Sequence, residues 1–163
     1  MKELLDKLTT YNLFNYLLPG ILFCVILTSY TSFNFFVDSA IMNLFICYFS
    51  GLVISRVGSL FLEPFLRYIS FLKFAPYKDF VEAGKADSKL DLLSEANNMY
   101  RTISVVFFLL LLAKLYELLG SVIYFFFEYS LSILIVLLLF LFLLSYRKQT
   151  NYIKSRVDSH FKR

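Results

Sequence analysis

The side chains able to carry acid–base, nucleophilic or metal chemistry are few and scattered along this 163-residue chain. The sole histidine, His160, lies in a basic C-terminal stretch, where it reads as a surface group and not as a general base. Cys24 and Cys47 lie inside apolar runs, where a thiol behaves as a small hydrophobe; neither a disulfide framework nor a zinc site is suggested. No Ser/His/Asp set, carboxylate pair at metal-ligand spacing, CxxC or phosphate loop can be assembled. The chain is therefore not read as an enzyme, and no metal or other cofactor is expected.

Two groups of residues carry more. Asn43, Cys47, Ser50, Gly51, Ser55, Gly58 and Ser59 recur at spacings of three and four, a small and polar stripe with Arg56 beside it. Small residues let helices approach closely and hydroxyls bond across them, so this face serves either tight packing within one subunit or the lining of a water-filled pathway between several. The candidates for either use are Asn43, Ser50, Gly51, Ser55, Arg56 and Ser59. The second group is Arg147, Lys148, Lys154, Arg156, Lys162 and Arg163, which with one acid, Asp158, gives the last eighteen residues a net charge of +5 in a chain of +4. Two uses compete here as well: a positive-inside stop signal resting on anionic lipid, or a site for an anion, nucleotide or nucleic acid.

The elements that must position these groups follow from the excess of apolar residues. The chain is 59% hydrophobic and 17% charged, with 20 Phe, 12 Tyr, 5 Gly and 3 Pro. Its mean hydropathy is +0.69. A soluble domain has about a quarter charged residues, so lipid is the expected solvent and a soluble enzyme or a disordered chain is excluded. Four runs approach the roughly 20 residues that cross a hydrocarbon core: 13–32, 40–61, 103–120 and 121–145. Lipid requires the backbone to satisfy its own hydrogen bonds, and the runs lack barrel-strand alternation, so they are predicted as helices. Pro19-Gly20 predicts a kink or a helix start in the first, after a short surface helix over residues 1–8.

The expected fold is all-α: an integral membrane protein with four transmembrane helices, a cytoplasmic helical loop and a basic amphipathic C-terminal extension. Its parts are an N-terminal interfacial segment with the first two spans (1–61), the helical connection (62–101), the third and fourth spans (102–145) and the basic tail (146–163). Lys and Arg are confined to the N-terminus, the 62–101 connection, the tail and two span positions, Arg56 and Lys114. The positive-inside bias thus places both termini in the cytoplasm. Within the connection, Gly84 is predicted to break a segment, and Leu90, Leu93, Ala96 and Met99 to form a helix leading into the third span. Arg56 and Glu63, seven apart, are predicted to share a face and pair; Lys114 and Glu117, three apart, to pair near the outer end.

The N-terminal run Tyr11-Asn12-Leu13-Phe14-Asn15-Tyr16-Leu17-Leu18-Pro19-Gly20 resembles a signature of small bacterial membrane proteins. With the span count and the basic end, it is similar to the small membrane effectors of anti-phage defence, most of all the membrane channel effectors of the Hailong type. That resemblance implies an effector of abortive infection in the bacterial inner membrane, held closed by DNA oligomers from a partner nucleotidyltransferase. The expected function is a homo-oligomeric pore or ion channel that depolarises the membrane, its partners being the lipid bilayer, further copies, and a cytoplasmic nucleotidyltransferase or its oligonucleotide product. The alternative is a non-conducting membrane anchor or subunit that presents loop and tail to a cytoplasmic enzyme.

Overall fold

A computed structural model describes residues 12–87, 89–120 and 130–161, and all its regular elements are helical. They are α1 (Leu13–Tyr30), α2 (Ala40–Tyr68), α3 (Tyr77–Ala86), α4 (Lys89–Gly120) and α5 (Ser130–Phe161). All but α3 are long and apolar enough to cross a membrane. The surface helix expected over 1–8 and the start of the fourth run, 121–129, lie outside the described residues.

Two prolines shape α1 and α2 in the same way. Proline offers no N–H to the carbonyl four residues back, and its ring crowds that carbonyl. Both helices respond by widening one turn to a π-helix around it: Leu13–Leu17, which contains Asn15, before Pro19, and Gly58–Leu62, which contains Leu60, before Pro64. The Leu18 N–H then bonds the Leu13 carbonyl, and the Glu63 N–H the Gly58 carbonyl. The bend expected at Pro19 is thus absorbed without a break.

The helices α1 and α2 cross back to back at Gly20 and Gly51. A Cβ on Gly20 would land on the carbonyl of Cys47, and one on Gly51 on the carbonyl of Tyr16. This approach seats Leu27 and Ile54 against Val105, Val106 and Leu110 of α4, the apolar core of the bundle. Away from the core, α4 and α5 expose Leu111, Leu139 and Phe140 at 64%, 59% and 60%. Faces of this kind are stable only in an apolar medium or beneath a partner.

At 32 residues each, α4 and α5 are roughly 48 Å long, well beyond a hydrocarbon core of about 30 Å. The polar overhangs, the start of α4 and the end of α5, lie at the same end of the bundle, here termed basal; the opposite end is distal. The helix expected to lead into the third run is present as the first turns of α4, and the tail continues α5 to Phe161. Gly84 does not break its segment: it sits within α3, near the end, where one glycine costs a helix only about 1 kcal/mol. Between α2 and α3 the chain turns through Ser70, whose φ of 59° is left-handed. The Phe71 N–H reaches the Leu66 carbonyl and that of Ser70 the Arg67 carbonyl, a Schellman closure that satisfies the last carbonyls of α2.

Gly51→Ala is expected to lose about 1–3 kcal/mol, as overpacking against a backbone does. Gly84→Ala, with nothing within 4 Å of the added methyl, is expected to gain up to about 1 kcal/mol. Thermal unfolding of the two variants in detergent compares them; equal midpoints would remove the glycine crossing from the account.

Candidate functional site

The six candidates, five from the sequence-predicted stripe and Arg56 beside it, do not end on one surface. Asn43 is held at the distal end, its Oδ1 accepting from the Val37 N–H and its Nδ2 donating to the Val37 carbonyl, both at 2.9 Å. It closes the turn into α2, where the Ser39 hydroxyl caps the free N–H of Met42 in the first turn. Ser50 accepts from the Cys24 thiol at 3.7 Å and borders an apolar groove between α2 and α5. Gly51 and Ser55 are buried, Ser55 at 5% exposure, in packing within the one chain. Only Arg56 and Ser59 come together with a residue of the other predicted group, Lys148.

That meeting point is the candidate site, and Glu63 is its centre. Arg101 of α4 donates from Nη1 to Glu63 Oε2 at 2.7 Å, and Lys148 Nζ of α5 lies 3.9 Å from Glu63 Oε1. Lys148 also donates to the carbonyl of Ser59 at 2.5 Å and to its Oγ at 2.8 Å, and sits 5.8 Å from the centre of the Tyr152 ring. One carboxylate therefore ties α2, α4 and α5 together. Gly58 makes room for it: a side chain there would press on Val105 and on the stem of Arg101, at 3.1 and 3.2 Å.

The expected Arg56–Glu63 pair does not form. Residues seven apart nearly share a face only in an unbroken α-helix. The π-turn Gly58–Leu62 falls between them and rotates Glu63 away from Arg56, toward α4 and α5. Among the described residues Arg56 has no ion-pair partner. Buried close by are Asn15 and Thr102, at 1% and 0% exposure; the Asn15 Oδ1 and the Arg101 Nε find no hydrogen-bond partner among the described residues.

At the distal end the expected Lys114–Glu117 pair is present at 2.6 Å. Glu117 also accepts from the Ser32 N–H at 2.6 Å, and Lys114 lies 5.4 Å from the centre of the Tyr30 ring, so the pair clasps the end of α1 to α4. Of the tail cations, Lys148 is half-buried, Arg147 and Lys154 are exposed, Arg156 lies on α5, and Lys162 and Arg163 lie outside the described residues. Sequence spacing missed Arg101 as a member of the site. The available signal was Glu63 itself, the first carboxylate after Asp38, at the end of an apolar run.

The basal cluster can hold negative charge. Among the described residues, Arg56, Arg67 and Arg101 and the carboxylate of Glu63 act electrostatically on Lys148. Among the described residues no three His, Cys, Asp or Glu side chains gather as metal ligands.

A double-mutant cycle on Glu63→Met and Arg101→Met is expected to give a coupling of about 1–3 kcal/mol, each single change stranding a largely buried charge that the double change removes. Additive losses in denaturation would show that the pair is not a joint. Comparison with protein families, with curated proteins and with solved structures finds no match to this chain.

Proposed function

We propose that this chain is a multi-pass protein of the bacterial inner membrane, with both termini and the 62–101 connection in the cytoplasm. Several copies assemble into an ion-conducting pore that depolarises the membrane as an abortive-infection effector against phage. It works by conduction and not by catalysis, under the control of a cytoplasmic ligand such as a nucleic-acid oligomer, or of a partner protein, acting on the basal cations.

The observation that supports this reading most is the placement of charge. The ion pairs among the described residues lie at two levels, Lys114–Glu117 distally and Glu63 with Arg101 and Lys148 basally, where Arg56 joins them and cations outnumber the one paired carboxylate. Copies around an axis would repeat that excess as a ring facing an anionic ligand. Between the two levels the described core of one bundle is apolar, built of Leu27, Ile54, Val105, Val106 and Leu110. Conduction thus belongs between subunits. The anchor reading has its own support: Gly51 and Ser55, expected candidates for a pore lining, are spent on packing within one chain.

Ion flux through proteoliposomes of the purified chain separates the two. The pore reading expects flux that rises steeply with protein-to-lipid ratio, falls on adding a DNA oligonucleotide, and changes in ion selectivity in Arg56→Ala. Liposomes that stay sealed at every ratio, with and without oligonucleotide, would leave the anchor.

A further inference from the structure

We propose that the seam between α2 and α5 is a binding site for one anionic phospholipid, its hydrocarbon chains lying in the groove and its phosphate at Arg56, Ser59 and Lys148. The proposal uses the membrane placement above and is independent of conduction. The groove has a volume of about 660 Å³ and is walled by residues such as Phe49, Val53 and Phe61 of α2 and Leu134, Leu138 and Leu141 of α5, with Ser50 the one polar side chain on its wall. From Phe45 to Phe61 it follows α2 for roughly 24 Å at the helical rise of 1.5 Å per residue. An extended hydrocarbon chain can lie along a groove of this length and apolar lining.

The apolar walls end at a polar pocket. One turn beyond Leu141 and beside Phe61, Arg56, Ser59, Lys148, Gln149 and Tyr152 line a second space of about 20 Å³. That is room for a single oxygen atom, such as one phosphate oxygen. The charge at the pocket is unbalanced: Arg56 and Lys148 line it, and the one carboxylate in ion-pair reach among the described residues, Glu63, is already shared by Arg101 and Lys148. Arg56 has no ion-pair partner among the described residues. Ser59 and the basic groups offer donors to an anion, and the adjoining slot accepts only apolar matter. A phospholipid with a net negative headgroup supplies both in one molecule.

Native mass spectrometry of the full chain in detergent, titrated with phosphatidylglycerol or phosphatidylcholine of matched acyl chains, tests the site. One phosphatidylglycerol per chain is expected at concentrations where phosphatidylcholine does not bind. Arg56→Gln with Lys148→Gln should weaken phosphatidylglycerol by about 30-fold, the effect of two charges near a lipid surface. Lys78→Gln with Lys85→Gln, both exposed on α3, should leave it unchanged. Leu138→Trp, which fills the slot and spares the cations, should weaken it too. Equal retention of the two lipids, an equal loss in the α3 variant, displacement by millimolar inorganic phosphate, or a lipid-free dimer that retains no phosphatidylglycerol would each overturn the proposal. Conduction could fail in liposomes and leave this result standing, so the two readings are separable.

Discussion

The close passage of one backbone over another at Gly20 and Gly51 is the constraint on which the rest of the bundle depends. No side chain intervenes at that crossing, so the helix separation is set by carbonyl and amide atoms. Such contacts do not stretch to fit a larger residue, because a well-packed interior yields poorly to added volume. With α1 and α2 held at that distance, Leu27 and Ile54 project together into the groove that Val105, Val106 and Leu110 fill. The free thiols of Cys24 and Cys47 are buried at the same crossing, as small hydrophobes that allow it.

The widened turns before Pro19 and Pro64 add a second constraint. A proline in a long apolar helix must either break it or move a carbonyl aside, and here each carbonyl is moved. In α2 this decides the electrostatics of the basal end. The additional rotation carries Glu63 out of line with Arg56, presents it to Arg101 and Lys148, and leaves Arg56 to the pocket beside Ser59. A local backbone adjustment thus selects which cation is neutralised and which stays available to an anion.

The helix α5 is held differently from the other three long helices, α1, α2 and α4. Its apolar length meets α2 along a groove, with Phe142 stacked 6.2 Å from Phe49 and Leu141 buried, but most of its Leu and Phe side chains face outward. Its firmest tie is polar and basal, the Lys148 contacts to Ser59 and Glu63. A helix attached by one end beside an open seam can move relative to the α1–α2–α4 core with little loss of packing. Both the proposed assembly from copies and the proposed lipid site draw on that freedom.

Sequence by itself determined the number of long apolar helices, the helical lead into α4, the helical tail and the Lys114–Glu117 pair. Each rests on local facts: run length, periodicity, and a three-residue spacing on one helix. It also marked Arg56, Ser59 and Lys148 as residues of interest, though in two separate groups. Their convergence, the entry of Arg101, and the division of the α2 stripe between packing, turn closure and site were decided only by the tertiary structure. The reason is geometric: a π-turn changes helical phase by an amount no residue count reveals, and contacts 38 and 89 positions apart, Arg101 to Glu63 and Lys148 to Ser59, depend on how whole helices pack. Spacing reads one helix at a time, whereas this site is made where three of them meet.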